Sequence, residues 1–285
     1  MIKNWKFIFR FAHVICVTLM ACASAHAAIT CSISSNGFAS AYVPANAAPN
    51  ITKTSFTMSC SRNAWTDPIT FAYTVTVNNG VQPGNWNGGT YNQAAYNSNR
   101  MWYSNFTTGN CGTFWTGATT IGGTITFSSK TDYATRTNTQ PFWGCILNQQ
   151  NVAAGTYSDT VTMTPSTGSA ATFPVSIVTP SSCTLSSPPS NMTFNYVAFR
   201  STAASATSNF SATCTNLLPY SMTLDASSSV LLGLAYTLSL SASSSVGTGV
   251  AQAYTVNGTM AAGQSGACAT GSCSATEART LTITY

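Results

Sequence analysis

The chain has 285 residues, of which only 5% are charged, and its formal net charge is +5. Three of its ten basic residues lie within the first ten positions, so the remainder is nearly neutral and offers no basic face for a nucleic acid. The length is sufficient for two ordinary domains.

The first 27 residues predict a secretory signal peptide. A basic start is followed by an apolar stretch over residues 11–23 and by Ala25-His26-Ala27, the pattern of small residues that precedes a cleavage site. The apolar stretch is too short to span a bilayer comfortably. An uncleaved anchor and a lipoprotein cleavage box ending at Cys22 are the alternatives. A signal peptide cleaved after Ala27 predicts that the protein is exported, through the periplasm to the cell surface.

Cleavage would remove both histidines and leave eight cysteines, an even number. In an exported chain this count predicts a disulfide framework, and the absence of a CxxC pair argues against a metal site. Without histidine, Ser-His-Asp and Cys-His catalysis are excluded. A carboxylate pair such as Asp67 and Asp132 stays open as a glycosidase alternative. We therefore expect a protein that is not an enzyme and that has no cofactor and no metal.

Strand patterns follow one another along the rest of the chain. Apolar residues alternate over Ile69–Val77 and again over Leu281–Tyr285, whereas helical periodicity is almost absent. Clusters of Gly, Asn, Pro and Ser separate these stretches. The combination predicts an all-β fold of antiparallel, immunoglobulin-like sandwiches.

The cysteine spacing reveals an internal repeat. Cys31 and Cys60 enclose 28 residues, Cys183 and Cys214 enclose 30, and a similar strand ends at each second cysteine. An aromatic strand follows each first cysteine. We predict two homologous domains joined by a short linker. Their bounds are residues 28–178 for the first, 179–182 for the linker and 183–285 for the second.

Each copy also closes on a similar strand, with Tyr157–Met163 aligned to Arg279–Tyr285. Eight cysteines allow 105 pairings, and the repeat is what selects among them. It predicts one equivalent bridge in each domain. The remaining cysteines then form a second bridge within the first domain and a bridge across a tight loop in the second. The predicted pairs are Cys31–Cys60, Cys183–Cys214, Cys111–Cys145 and Cys268–Cys273.

These features resemble the spore coat protein U domain family. In the first copy the matching positions are Cys31, Phe38, Tyr42, Cys60, Met101, Tyr103 and Gly155–Val161. In the second copy they are Cys183, Phe194, Tyr196, Cys214, Leu234, Tyr236 and Thr280–Tyr285, without the Gly-x-Tyr-x-Asp closure. The resemblance implies an archaic, Csu-type chaperone–usher pilus, in which a two-domain member is the tip adhesin that mediates attachment and biofilm formation. It also implies a periplasmic chaperone, an outer-membrane usher and a neighbouring pilin as partners.

The two copies differ at their ends. In the first domain Phe173, Val175 and Ile177 alternate in one more strand, and the second domain has no counterpart. An incomplete sandwich exposes a groove that another chain can fill with a strand. A sandwich whose topology simply ends there is the alternative. The expected groove edges are Phe194, Tyr196, Leu281, Ile283 and Tyr285.

The start of the predicted mature chain points the same way. Only Ala28, Ile29 and Thr30 would precede Cys31, and three residues span at most about 10 Å, too little to fill a neighbour's groove. We therefore expect a subunit that accepts a strand and donates none, which places it at a pilus tip. A structural pilus or coat subunit is the alternative.

Tryptophans of the predicted mature chain all lie in the first domain. Trp102 sits in a strand and is expected in the core, whereas other large aromatics lie among turn residues. We expect these to form a binding surface for an abiotic hydrophobic material or a host receptor. A carbohydrate site and loops that merely cover the sandwich are the alternatives. The candidate residues are Trp86, Phe114, Trp115, Phe142 and Trp143.

Overall fold

The computed structural model describes residues 29–44, 46–86, 89–269 and 271–285. The predicted signal peptide lies outside these residues. The described chain consists of strands and loops without a helix, so the predicted all-β fold is confirmed. No helix with the length and apolarity needed to cross a membrane occurs in these ranges.

Eleven strands form the N-terminal unit. In chain order they are β1 (Thr30–Ser35), β2 (Phe38–Ala41), β3 (Asn50–Ser61), β4 (Thr70–Val77), β5 (Gly84–Trp86), β6 (Gly89–Tyr96), β7 (Asn99–Phe106), β8 (Ile121–Thr126), β9 (Arg136–Ile146), β10 (Gly155–Pro165) and β11 (Ala171–Thr179).

Eight strands form the C-terminal unit. They are β12 (Cys183–Ser187), β13 (Ala204–Cys214), β14 (Pro219–Leu224), β15 (Ser228–Leu231), β16 (Leu234–Leu240), β17 (Ser244–Val246), β18 (Ala251–Met260) and β19 (Leu281–Thr284).

The strands of the N-terminal unit pair in two runs. One run is β1-β3-β9-β7-β6 and the other is β8-β4-β10-β11-β2, with the two joined where Ser158 of β10 meets Ala95 of β6. Each pairing is antiparallel except that of β11 with β2. Side chains alternate between buried and exposed along β3, β4, β10 and β11, as expected for strands with one face on a core.

Aromatic rings connect the two runs through the core. Trp115 stacks on Phe56 of β3 at 5.4 Å, and its ring centroid lies 4.9 Å from that of Phe142 of β9. Phe142 in turn lies 5.2 Å from Phe173 of β11. Burying a side chain of this size stabilises a fold by about 1.5–3 kcal/mol, so this chain of rings is a major contribution to the unit.

The C-terminal unit repeats the same order with fewer strands. Its runs are β12-β13-β18-β16-β15 and β17-β14-β19, which correspond to β1-β3-β9-β7-β6 and to β8-β4-β10. No strand among the described residues of this unit corresponds to β11 or to β2, which pairs with it.

All four predicted disulfides are confirmed. Cys31 lies directly opposite Cys60 in the β1–β3 pair, and Cys183 lies directly opposite Cys214 in the β12–β13 pair. The repeat therefore identified the first pair of bridges correctly, because each one joins the first strand of a unit to its neighbour at the same register.

Strand directions define two ends of the N-terminal unit. Cys60 near the end of β3 pairs with Arg136 at the start of β9, so the loops that leave β3 and enter β9 share one end. At the other end Val178 of β11 pairs with Ala41, whose carbonyl accepts a hydrogen bond from Asn50 at the start of β3. The chain continues from β11 into β12, so the β3–β4 and β8–β9 loops lie distal to the C-terminal unit.

Candidate functional site

The complete N-terminal unit shows what β11 contributes. This strand lies between β10, to which it is antiparallel, and β2, to which it is parallel. Its inward side chains Phe173, Val175 and Ile177 are at most 1% exposed. Strand β11 therefore pairs with a strand on each side and also supplies apolar side chains to the core.

A glycine and a phenylalanine occupy equivalent places in the two units. A Cβ on Gly144 would lie 2.5 Å from the ring of Phe38, and a Cβ on Gly258 would lie 2.4 Å from the ring of Phe194. Both glycines thus leave room for an aromatic ring that lies against the sheet. Phe194 therefore occupies the place of Phe38 and marks the segment that corresponds to β2.

Tyr73 and Tyr220 supply a second correspondence. The Tyr73 hydroxyl donates to Asn138, which pairs with the residue two positions before Cys60. The Tyr220 hydroxyl donates to Gln252, which pairs with the residue two positions before Cys214. Strands β4 and β14 are therefore equivalent, with Val77 matching Leu224 four residues later.

Two edges of the C-terminal unit lack a strand partner among the described residues. Strand β19 pairs with β14 on one side, and its other side carries no ladder. Segment 191–197, which corresponds to β2, forms no strand. In the N-terminal unit β11 pairs with residues 155–163 of β10, and Leu281 pairs with Leu224 as Met163 pairs with Val77. Residues 274–281 therefore correspond to residues 156–163. We call the space between residues 274–281 and segment 191–197 the acceptor groove, because β11 occupies this space in the N-terminal unit.

Apolar side chains line the acceptor groove and are incompletely covered. The N-terminal unit has one continuous core cluster, whereas the core of the C-terminal unit is divided into two smaller clusters. Tyr285 is 58% exposed. The other predicted edge residues are partly buried against these clusters, namely Phe194, Tyr196, Leu281 and Ile283.

The register of β19 corrects the alignment that sequence predicted. Met163 pairs with Val77 and Leu281 pairs with Leu224, so Leu281 corresponds to Met163 rather than to Asp159. The predicted alignment was wrong by four residues, because alternating apolar residues match equally well at any even shift. With this correction Glu277 corresponds to Asp159.

The corrected register shows that each unit contains a tyrosine hydroxyl that donates to a carboxylate at the same position. The Tyr103 hydroxyl donates to Asp159 at 2.6 Å, and the Tyr236 hydroxyl donates to Glu277 at 2.7 Å. Burial, and then the neighbouring carboxylate, raise the pKa of both tyrosines, so each remains a neutral donor. The second copy therefore keeps the acidic position of the closure motif with a glutamate in place of the aspartate.

Charged side chains of the C-terminal unit gather at the acceptor groove. The unit contains four of them. Arg279 forms an ion pair with Glu277 at 2.8 Å and lies 3.9 Å from Asp225, which follows β14. Arg200 donates to the carbonyl of Asn195 in the opposite edge. The groove is therefore apolar along its floor and charged along its rim.

The structure corrects the predicted binding surface of the N-terminal unit. Trp115 and Phe142 lie in the core, where the Trp115 indole donates to the Val75 carbonyl at 2.9 Å. The turn residues around Trp115 lead its ring into the space between the two runs of strands rather than into solvent. Neither residue is available for surface binding.

Phe114 and Trp143 are half-buried on the outer face of the sheet. Phe114 contacts Tyr91 at 5.2 Å, and Lys53 lies 5.9 Å from the Trp143 ring. Trp102, which sequence predicted in the core, lies on this face as well, because its neighbours Met101 and Tyr103 take the inward positions. Trp86 ends β5.

The distal loops expose three large apolar side chains that the sequence did not single out. Trp65 is 63% exposed, Tyr133 is 48% exposed and Ile69 is 40% exposed. Trp65 and Ile69 belong to the β3–β4 connection, and Tyr133 belongs to the β8–β9 connection. A tryptophan among Asn, Thr, Asp and Pro was the available sequence signal for this surface.

Buried Arg62 holds the two distal loops together. Its guanidinium donates to the carbonyls of Trp65 and Asp67 in one loop and to that of Ser129 in the other. The guanidinium also lies 5.8 Å from the ring of Tyr133. The exposed rings therefore project from a rigid platform rather than from mobile loops.

Asp67 and Asp132 also stabilise these loops. Asp67 accepts hydrogen bonds from the backbone amides of Asn63 and Ala64. Asp132 accepts from the backbone and hydroxyl of Ser128 and pairs with Arg136. The Ser128 amide bond is the main cause that lowers the Asp132 pKa to about 2. Both carboxylates therefore stabilise their loops by accepting hydrogen bonds from neighbouring backbone amides.

A model of the Spore Coat Protein U domain matches residues 17–164. No curated protein matches the sequence significantly.

Two solved structures align over most of the chain. One is the chaperone–tip adhesion subunit pre-assembly complex of archaic Csu pili from Acinetobacter baumannii, with 13% identity, a TM-score of 0.42, and 89% of this chain and 99% of that chain covered. The other is the CupB6 tip adhesin from Pseudomonas aeruginosa, with 10% identity, a TM-score of 0.38, and coverage of 90% and 95%. Likeness at this level carries no argument about function.

Proposed function

The chain belongs to the spore coat protein U domain family, and from this premise we propose that it is the tip adhesin of a chaperone–usher pilus. The observation that carries the proposal is the acceptor groove, whose two edges correspond to the two partners of β11. In this proposal the C-terminal unit joins the fibre by accepting a strand, and the N-terminal unit attaches the fibre to a surface.

The acceptor groove supplies both components that strand addition requires. Backbone groups of residues 274–281 and of segment 191–197 can form ladders with an added strand. Partly buried apolar side chains between them can pack on its inward residues. Each inward residue of Val or Ile size contributes about 1.5–3 kcal/mol, so the occupant binds firmly. A periplasmic chaperone would fill the groove first, and a pilin strand would replace it at the usher.

A fused strand tests the acceptor groove. A copy of residues 166–179, which include the β10–β11 turn and β11, is attached after Tyr285. We expect slower hydrogen exchange of the amides of residues 274–281 than in the unmodified chain, because the copy supplies the missing ladder. The matched control carries Ser at the copied positions of Val175 and Ile177. Equal exchange rates in the fusion, the control and the unmodified chain would contradict the proposed groove.

The distal platform is the proposed adhesive surface. Trp65, Ile69 and Tyr133 project from the end opposite the C-terminal unit, where a fibre tip first meets a surface. Each such ring contributes a binding free energy of about 1.5–3 kcal/mol when it docks on a hydrophobic material. This gives modest affinity for a single tip, which many pili on one cell multiply.

Attachment to polystyrene tests the adhesive surface. We expect Trp65→Ala with Tyr133→Ala to reduce attachment of piliated cells by at least an order of magnitude, because two docking rings of this size are removed. Trp143→Ala is the matched control, since this ring lies on the outer sheet face away from the distal loops. If the control reduces attachment and the double variant does not, adhesion belongs to the outer face instead.

A further inference from the structure

One position of the acceptor groove differs in kind from its counterpart in the complete unit. In the N-terminal unit Val161 of β10 lies opposite Phe173 of β11, and both are fully buried. The corrected register places Arg279 where Val161 lies. A cationic side chain therefore stands at a position that is wholly apolar in the filled sandwich.

Arg279 points into the groove rather than away from it. Its guanidinium lies 5.6 Å from the centre of the Tyr236 ring, which corresponds to the buried ring of Tyr103. Its Nε donates to the Tyr236 hydroxyl at 2.9 Å, and its Nη2 pairs with Glu277. The Arg279 side chain is 20% exposed, so a strand that occupies the place of β11 would remove most of its remaining solvent.

We propose that Arg279 selects the strand that fills the groove, an inference that rests on the proposed function. The favoured strand has a neutral oxygen acceptor, such as Ser, Thr or Asn, at the position facing Arg279. Apolar residues follow two and four positions later, as Val175 and Ile177 follow Phe173.

Each alternative side chain at this position has a specific cost. A large apolar residue such as Phe would take water from the guanidinium without offering it an acceptor. A carboxylate would add a third negative charge beside Glu277 and Asp225, and a lysine would repel Arg279. The groove therefore disfavours β11 of a second copy of this chain, which presents Phe173.

The fused strand described above makes the inference testable. One fusion keeps Phe at the copied position of Phe173, and a second has Thr there. In the wild-type background we expect the amides of residues 274–281 to exchange about tenfold more slowly in the Thr fusion than in the Phe fusion. A difference of this size corresponds to the cost of one polar group left without a hydrogen-bond partner. In the Arg279→Val background we expect slower exchange in the Phe fusion than in the Thr fusion.

Arg279→Met is a second background, because it keeps the length of the side chain and removes its donors. The order of the two fusions should reverse there as well. If both fusions protect residues 274–281 equally in all three backgrounds, the role of Arg279 is overturned while the acceptor groove stands. If no fusion protects these residues in any background, the acceptor groove and the proposed function fail together.

Discussion

At the residue scale, the buried Arg62 is the side chain on which the distal platform depends. Its guanidinium bonds carbonyl groups of both distal loops, and no exposed lysine could replace that set of contacts. Sequence could not predict this role, because a lone arginine after a cysteine strand carries no signal that it is buried. Arg62 connects the two loops from which Trp65 and Tyr133 project.

We expect Arg62→Ala to lower the free energy of unfolding by about 3–5 kcal/mol, because several buried carbonyls lose their shared donor. Urea unfolding followed by intrinsic fluorescence measures this change. Arg136→Ala is the control, since the Arg136 side chain is 44% exposed and should alter stability little. Similar losses in the two variants would show that Arg62 does not organise the platform.

Asp132 gives the same loops a defined response to acid. Its pKa falls from 3.8 to about 2 in the folded protein, chiefly through the Ser128 amide, so the charged carboxylate stabilises the fold above pH 3.8. That contribution should be lost as the pH falls from 3.8 towards 2. The free energy of unfolding of Asp132→Asn should vary less with pH in this window. An unchanged pH profile in the variant would assign the acid response to another group.

At the element scale, β11 explains why one repeat is closed and the other is open. Sequence predicted this strand from its alternation, and no strand among the described residues of the second unit corresponds to it. Sequence could not predict that segment 191–197 would form no strand, because that outcome depends on a partner and not on local propensity. Nor could alternation fix the register of β19, which required the contacts of Tyr220 and Leu224.

Adjacent residues of β11 provide a matched test of its packing. Ile177 is fully buried, whereas its neighbour Val178 is 44% exposed on the same strand. We expect Ile177→Ala to cost about 2–5 kcal/mol through lost burial and a residual cavity. Val178→Ala should stay within about 0.5 kcal/mol of the wild type. Equal effects in urea unfolding would mean that β11 is not the core strand of this unit.

At the scale of the whole molecule, the two units differ in how completely each one covers its own core. The N-terminal unit is closed by β11, whereas residues 274–280 and segment 191–197 of the C-terminal unit form no strand. Contacts across the junction are polar, such as the hydrogen bond from Asn151 to the Thr248 carbonyl. Sequence predicted two domains from the repeat. Two of its candidate binding rings, Trp115 and Phe142, lie in the core, because the turn residues near them were taken as a sign of exposure.

The asymmetry predicts that calorimetry of the chain resolves two transitions, the lower one from the C-terminal unit. A closed core and an open one should not melt together when few apolar contacts join them. Ile177→Ala should lower only the upper transition, because it changes the N-terminal core. The fused copy of β11 should raise only the lower transition, because it fills the acceptor groove. If both changes moved a single transition, the two units would form one cooperative body, and strand addition at one end would alter the stability of the adhesive end.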